Sequence, residues 1–175
     1  LQGSVDANLK VLESQPANNG AMRNLALLYR DLGDVDKAIE YAEQSIAVTN
    51  PANAAEVKAL RQLAAQLYQT AGKLDQAIGQ YEAIRGLDPQ DAATLNLLAN
   101  LYLTKQDLTN AVATLQALAA LEPGNFDPPF AIAQILQQAG RFEEALRYAE
   151  QALILAPDDQ KQAVDQLIAL IKDGG

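Results

Sequence analysis

Apolar and polar positions follow one another along this chain with the spacing of α-helices. In the best-defined segment the apolar residues recur at i, i+3, i+4 and i+7, which predicts one apolar stripe on an amphipathic helix. These residues are Leu95, Leu98, Ala99 and Tyr102. A second run, rich in Ala and Leu, follows from 108 to 121 after a short polar stretch. Two apolar runs joined by so few residues predict a helical hairpin.

The hairpin repeats along the chain with a period of 34 residues, marked by Pro89, Pro123 and Pro157. A glycine ends the first helix of a copy because the turn needs a left-handed backbone that glycine adopts at little cost. The proline ends the second helix since its ring cannot continue it. A small alanine within the second helix allows the two helices to approach closely. The aligned positions of the four copies are Tyr29, Tyr68, Tyr102 and Leu136, then Gly33, Gly72, Gln106 and Gly140, then Ala38, Ala77, Ala111 and Ala145.

The order of Tyr, Gly, Ala and Pro within this period resembles the tetratricopeptide repeat. The likeness is carried by three runs, LALLYRDLGDVDKAIEYAEQSI (25–46), LAAQLYQTAGKLDQAIGQYEAIRGLDP (63–89) and GRFEEALRYAEQALILAPDD (140–159). The chain departs from that family in lacking its early tryptophan, in having Gln106 for glycine, and in having Ala42 and Ala149 where a large aromatic is common. The resemblance implies an all-α fold, a right-handed α-solenoid of antiparallel helix pairs with a C-terminal capping helix.

The register divides the chain, expected to be a single domain over 1–175, into repeats and two end pieces. We expect the second helix of a truncated repeat at 4–16, full repeats at 19–52, 58–91, 92–125 and 126–159, and a capping helix at 160–172. Because it starts with half a repeat and lacks an initiator methionine, the chain is predicted to be a fragment or a processed form of a longer protein.

Polar residues are expected at the starts of several helices, where a side-chain oxygen accepts a free backbone amide hydrogen. These residues are Asn18, Asp91, Asn125 and Asp159. The helix after Asp159 is expected to cover the last repeat with its apolar residues Ala163, Leu167, Leu170 and Ile171.

Five residues, 53–57, are inserted between the first and second full repeats. Asn53 with Glu56 three positions later has the spacing of a capping box. We therefore predict that 53–57 extends the first helix of the second repeat, although an ordinary loop is the alternative.

Composition limits the kinds of partner. The chain has 22 acidic and 13 basic residues and a net charge of −9, which disfavours nucleic acid because phosphate binding needs a basic face. No uncharged stretch reaches the roughly 20 residues of a membrane span, so no direct membrane insertion of this segment is expected. A protein or peptide partner fits best. The absence of cysteine excludes disulfides but leaves the cellular compartment undetermined.

The residue types needed for catalysis are scarce. Without His or Cys the chain lacks the commonest general base, the thiolate nucleophile and the usual transition-metal ligands. Three carboxylate pairs are expected at helix starts, where acidic groups complement the helix dipole: Asp34 with Asp36, Glu143 with Glu144, and Asp158 with Asp159. We therefore expect no enzymatic activity, no metal site and no cofactor.

The resemblance also implies where a ligand would bind, since proteins of this family mostly hold peptides on the concave face lined by the first helices. The matching positions here are rich in amides, which both donate and accept hydrogen bonds and suit an extended peptide backbone. Two arginines leave one end positive, ready for a carboxylate. The alternative is a hydrated groove without a dedicated ligand. The expected contact residues are Arg23, Leu27, Arg30, Gln62, Gln66, Gln69, Asn96, Asn100, Leu103, Phe130, Gln134 and Gln137.

Phe130 stands apart, because it is the one aromatic of the chain expected to point into the groove. It lies beside Phe126 and the stiff pair Pro128-Pro129. A rigid aromatic in a concave site typically anchors a partner side chain. Burial of Phe130 against the capping helix is the alternative.

A function of another class is structural assembly. The run 108–121 has no charged residue, and its outward positions are expected to be small or polar: Ala113, Gln116, Ala117 and Ala120. Self-association through this helix, or through the open N-terminal end, would make the chain a homo-oligomer or a packing element on a partner.

Overall fold

The computed structural model describes residues 1–174, and over these residues it contains ten helices. They form two compact units, the first over Leu1–Pro89 and the second beginning at Gln90. The first unit contains α1 (Gln2–Ser14), α2 (Asn19–Asp31), α3 (Val35–Val48), α4 (Ala54–Thr70) and α5 (Leu74–Leu87). The second contains α6 (Ala92–Thr104), α7 (Leu108–Leu121), α8 (Asp127–Gln138), α9 (Phe142–Leu155) and α10 (Asp158–Gly174).

Each first helix turns into its second helix through the same backbone motif. The residue after the helix has a positive φ at Gly33 (80°), Gly72 (69°) and Gly140 (71°), and Gln106 adopts the same conformation with φ 59°. Two backbone hydrogen bonds of 2.8–3.0 Å close each turn. If n is the residue with positive φ, its amide donates to the carbonyl of n−3, and the amide of n+1 donates to the carbonyl of n−4. For the first turn these bonds run from Gly33 to Arg30 and from Asp34 to Tyr29. This is the Schellman motif, and it satisfies carbonyls that the helix end leaves free.

In the first unit, each helix packs against the next one along the chain. The aligned alanines Ala38 and Ala77 are fully buried, as predicted for positions where helices approach closely. α3 contacts both α2 and α4, and its core cluster combines residues of all three helices: Ala26, Ala38, Ile39, Ala42, Ala64 and Leu67. The two first helices therefore flank α3.

α4 is longer than the other first helices of the chain. It has 17 residues, against 13 in α2 and α6 and 12 in α8. The Asn53 side chain accepts from the Glu56 backbone amide at 3.4 Å and donates to the Glu56 carboxylate at 2.7 Å. Residues 54–57 of the inserted segment lie in the first turn of the helix, so the inserted residues are not an ordinary loop.

In the second unit, α7 packs against α6 and α8, and α9 against α8 and α10. Ala111 and Ala145 are fully buried. The core cluster includes Leu115, Ile132, Leu136, Leu167 and Ile171, so residues of α10 complete it.

α10 differs in detail from the helix expected at 160–172. It begins at Asp158, directly after Pro157, whose carbonyl accepts from the amides of Gln160 and Lys161. Asp159 is therefore a first-turn residue, and its expected role as the preceding cap is wrong. Ala163 and Leu170 are exposed, the latter by 54%. The expected residues Leu167 and Ile171 are in the contact face of α10, and Val164 and Ile168 take the places expected for Ala163 and Leu170.

Two other expected caps differ from the structure. The cap position of α8 is Phe126, and Asn125, one residue earlier, accepts from the Asp127 amide at 3.0 Å. Pro128 and Pro129 follow in the first turn, and because proline has no N–H the helix start has fewer amides to satisfy. Asp91 does occupy the cap of α6, but its carboxylate accepts from the Thr94 hydroxyl at 2.6 Å.

Candidate functional site

A concave pocket of about 640 Å³ lies between α2 and α4 in the first unit. We call it the α2–α4 pocket. Its floor is apolar and its rim carries arginines, amides and one carboxylate. The residues that line it are Arg23, Leu27, Arg30, Asn53, Ala55, Glu56, Ala59, Leu60, Gln62, Leu63 and Gln66.

The structure brings five of the expected contact residues together in this pocket. They come from two successive first helices, Arg23, Leu27 and Arg30 from α2 and Gln62 and Gln66 from α4. The side chains spaced at helical intervals on each helix share one face, so two such faces side by side form the groove.

Gln69 does not line the pocket. Its side chain is half-buried and hydrogen-bonds to the hydroxyl of Tyr81 on α5. Burial raises the pKa of Tyr81, and the hydrogen bond from Gln69 opposes that rise. This contact joins α4 to α5, and the assignment of Gln69 as a ligand contact stays a prediction.

The other residues that line the pocket were not among the expected contact residues, which were chosen by aligning the repeats. Asn53, Ala55 and Glu56 belong to the inserted segment, and Ala59 follows one helical turn after Ala55. The insertion was itself visible in the sequence. The inserted residues have no equivalent in the other repeats, so aligning the repeats could not assign them to the groove.

A polar network fixes the wall of the pocket against α2. Asn19, the first residue of α2, donates to the Glu56 carboxylate at 3.0 Å and to the Thr49 hydroxyl at 2.7 Å. The hydroxyl of Ser45 donates to the Asn19 side-chain oxygen. Ser45 and Thr49 are buried, and buried polar groups with satisfied partners hold a fixed geometry. The first turn of α4 is therefore tied to both α2 and α3.

The charges at the rim differ in how they are partnered. Arg30 forms an ion pair with Asp31, with its Nη2 2.8 Å from the carboxylate. Glu56 accepts from the two neutral amides of Asn19 and Asn53. Arg23 is exposed, and among residues 1–174 it has no ion pair or hydrogen bond from its side chain. Of the two arginines expected to receive a carboxylate, Arg23 is the one with a free guanidinium.

A smaller pocket of about 250 Å³ lies in the second unit, and we call it the α6–α8 pocket. It brings together three expected residues, Asn96, Asn100 and Leu103. Both asparagines are exposed, and Asn96 donates to the carbonyl of Ala92 at 3.1 Å, so its side-chain oxygen remains an acceptor. The other lining residues are Ala99, Leu115, Leu118, Asn125, Asp127, Pro128 and Ala131.

Phe130 does not line this pocket. It is half-buried and packs against α9 and α10, in a cluster with Ala152, Val164 and Ile168. Its ring lies 6.0 Å from that of Phe126. The structure thus supports the alternative of burial against the C-terminal helix, because α10 supplies an apolar surface that the aromatic ring covers.

The two remaining expected residues, Gln134 and Gln137, lie on α8 outside the lining of the α6–α8 pocket. Gln134 is exposed and Gln137 is half-buried. Their assignment as contact residues stays a prediction.

The outward positions of α7 are exposed, as its sequence suggests: Ala113, Gln116, Ala117 and Ala120. Gln116 donates to the hydroxyl of Tyr148 on α9 at 2.8 Å, so one polar residue of this face is already engaged. Self-association through α7 or the N-terminal end stays a prediction.

Within residues 1–174 there is no group of three or more acidic side chains placed to hold a metal ion. Over the same residues, no helix has the length and apolar character that crossing a bilayer requires.

Comparison with protein families agrees with the pattern of turns and buried alanines. Three family models, each described as tetratricopeptide repeat, match residues 19–90, 63–126 and 102–171. Together they extend from the first residue of α2 into α10. No match was found among curated protein sequences.

Solved structures show the same fold. The protein MamA is 18% identical with a TM-score of 0.64, and the match covers 89% of this chain and 81% of MamA. YrrB, described as a TPR protein with an unusual peptide-binding site, is 14% identical with a TM-score of 0.61, over 97% of this chain and 84% of YrrB. A tetratricopeptide repeat protein from Parabacteroides merdae is 17% identical with a TM-score of 0.67, over 89% of this chain and 59% of that protein.

These structural likenesses extend over most of this chain, and at such identities they bear on the fold alone. The shared repeat turns and the family models lead to one conclusion. The chain is an all-α, α-solenoid protein that belongs to the tetratricopeptide repeat family.

Proposed function

We propose that this chain is a non-enzymatic scaffold that binds an extended segment of a partner protein along its first helices. Tetratricopeptide repeat proteins are in general non-catalytic modules for protein–protein interaction. The observation that carries the proposal is the α2–α4 pocket, in which two successive first helices join five of the expected contact residues around a volume of about 640 Å³.

The chemistry of the α2–α4 pocket suits a peptide. Ligand pockets of several hundred Å³ with an apolar lining and a few polar groups are typical binding sites. Leu27 and Leu63 are half-buried and Leu60 is only 1% exposed, so together they offer an apolar floor. Gln62 and Gln66, one turn apart, offer amides that match the donors and acceptors of an extended backbone. YrrB, a TPR protein of similar fold with an unusual peptide-binding site, supports the same kind of ligand.

The absence of His and Cys supports a binding role over a catalytic one. The carboxylates at helix starts are engaged locally. Asp34 accepts from the Lys37 backbone amide and pairs with the Lys37 ammonium at 2.8 Å, and Asp158 pairs with Lys161 at 2.7 Å. Carboxylates used in this way complement helix starts.

The proposal is tested by selecting random dodecapeptides displayed on phage against the purified chain. Selected peptides are then titrated into isotope-labelled protein and the backbone amide shifts are mapped by NMR. We expect the largest shifts around Leu27, Gln62 and Gln66. A failure to enrich any peptide, or shifts confined to α3 and α5, would contradict the proposal.

The α6–α8 pocket is proposed as a second contact. We expect Asn96→Ala combined with Asn100→Ala to remove amide shifts in the second unit and weaken binding of peptides that reach it. A matched control is Gln162→Ala with Gln166→Ala, two exposed amides one turn apart on α10. If both pairs of substitutions have the same effect on affinity, the asparagines have no special role.

A further inference from the structure

We propose that the inserted residues of α4 make the α2–α4 pocket selective for a segment that presents an acidic side chain beside an aliphatic one. The aliphatic side chain would lie between α2 and the extended start of α4, and the acidic one would bind Arg23. This inference rests on the proposed function and specifies the class of ligand.

The wall formed by the inserted Ala55 and by Ala59, one turn further along α4, is made of small side chains. Ala55 and Ala59 are exposed, stand one turn apart on α4 and line the pocket opposite Leu27. Their methyl groups leave room that a larger residue would occupy. In the second unit, where α8 has 12 residues and begins with Asp127 and Pro128, the corresponding space is about 250 Å³ instead of 640 Å³.

The wall is held in place before any ligand binds. Glu56 is bonded to Asn19 of α2 on one side and to Asn53 on the other, at 3.0 and 2.7 Å. Both carboxylate oxygens of Glu56 thus already have a donor. A pre-formed pocket avoids the free-energy cost of ordering its own side chains when the ligand arrives.

The charged groups around the pocket indicate which polar side chain the ligand would carry. Three other charged groups lie at or beside the rim, namely Glu56, Arg30 and its partner Asp31. Glu56 is itself an anion and Arg30 is already paired with Asp31, so neither offers a free positive partner for an acid. Arg23 has a free guanidinium, which binds a carboxylate through two parallel hydrogen bonds.

The spacing of the two ligand side chains follows from the extended conformation. In an extended segment, side chains at i and i+2 point to the same side and lie about 7 Å apart. Because Arg23 and Ala59 line the same pocket, the acidic and aliphatic residues must lie on one side of the segment, and i and i+2 is the shortest spacing that places them there.

The test uses the same displayed dodecapeptides, selected on the wild-type chain and then synthesised for titration. We expect enriched peptides to contain Asp or Glu and Leu, Ile or Val two positions apart. Arg23→Gln should weaken their binding about tenfold or more, because hydrogen bonds to charged groups are among the stronger polar contacts. That loss should shrink as NaCl rises from about 0.05 M to about 0.5 M, since salt screens exposed charges. Ala59→Leu should weaken binding by a similar factor by filling the pocket.

Two matched controls separate specific from general effects. Arg147→Gln removes an exposed arginine of α9 that, like Arg23, has no ion pair or hydrogen bond from its side chain within residues 1–174. Ala54→Leu adds the same bulk as Ala59→Leu at an exposed residue of α4 outside the pocket. Both should bind the peptides as wild type does.

The outcomes distinguish the two proposals. Enrichment of peptides without the acidic and aliphatic pair, or equal affinities of Arg23→Gln and Arg147→Gln, would overturn the inference while peptide binding stands. Equal affinities of Ala59→Leu and Ala54→Leu would likewise overturn it. If no peptide is enriched at all, the proposed function and the inference both fall.

Discussion

Gln106 occupies a backbone conformation that the other three repeat turns give to glycine, and replacing it should stabilise the protein. Its φ is 59°, against 69° at Gly72 and 71° at Gly140. The two hydrogen bonds of the turn are made from the backbone, by Gln106 to Leu103 and by Asp107 to Tyr102. Gln106→Gly therefore leaves the bonding of the turn unchanged and removes only the backbone strain.

The magnitude follows from two opposing contributions. A side chain in the left-handed region costs roughly 1–2 kcal/mol, and glycine makes the unfolded chain more flexible, which costs about 0.4–1 kcal/mol. The net gain expected for Gln106→Gly is about 0.5–1 kcal/mol. Gly140→Ala should lose about the same amount, because a Cβ added there meets no heavy atom within 4 Å and only the backbone conformation is penalised.

Urea unfolding followed by far-UV circular dichroism measures these changes. With a denaturant slope of about 2 kcal/mol/M, a change of about 0.7 kcal/mol moves the midpoint by about 0.3 M at unchanged slope. We expect the midpoint to rise for Gln106→Gly and to fall for Gly140→Ala.

The control is the same glycine substitution inside a helix. Gly79 lies within α5, is exposed, and a Cβ there also meets nothing within 4 Å. Gly79→Ala should raise stability by about 0.5–1 kcal/mol, because alanine is the better helix former. The reasoning is refuted if Gly140→Ala and Gly79→Ala change the midpoint in the same direction, or if Gln106→Gly lowers it.

Three further predictions concern packing, capping and pH. Ala111 is fully buried, so Ala111→Leu should overpack the helix contact and cost about 1–3 kcal/mol in urea unfolding; an unchanged midpoint would contradict this. Asn18 accepts from the Ala21 amide at 2.9 Å, and Asn18→Ala should cost about 1 kcal/mol, whereas Asn18→Ser should retain most of it. Hydrogen bonds from the Asn110 side chain and backbone lower the pKa of Asp107 below its ordinary value of 3.8. The stabilising effect of that carboxylate is complete above pH 3.8 and is lost as pH falls through the lower folded-state pKa. In a plot of melting temperature against pH, Asp107→Asn should therefore reduce the fall at acidic pH. A plot identical to that of the wild type would count against the capping role.

Most of the fold could be predicted from the sequence because its signals are local. Helix period, turn glycines and helix-ending prolines act within a few residues of their own position, and the repeat presents each signal several times. The capping box at Asn53 and Glu56 is local in the same sense, which is why the longer α4 was predictable. At Asn125 and at Asp159 a proline lies within three residues of the predicted cap. There the helix begins at a different residue from the predicted one, at Asp127 and Asp158 respectively.

The candidate site was less predictable because it depends on which distant side chains become neighbours. Gln69 bonds to Tyr81 and Phe130 packs against α10. Gln69 is therefore not in the lining of the α2–α4 pocket, nor Phe130 in that of the α6–α8 pocket, although the repeat register places both on the expected face. Arg23 and Arg30 have the same chemistry in the sequence. Only the structure distinguishes them, since Arg30 has Asp31 as a partner and Arg23 has none in residues 1–174.

Local sequence signals established the helical hairpins and their turns, because these follow from periodicity and backbone preference. The positions expected to face the groove came from the resemblance to the repeat family. The tertiary structure decided which of those positions are open to a ligand and added the wall formed by Ala55 and Ala59. The physical reason is that side-chain availability depends on burial and partners supplied by other helices. A contact such as that of Asn19 with Glu56 joins residues far apart in the chain, and no local pattern encodes it.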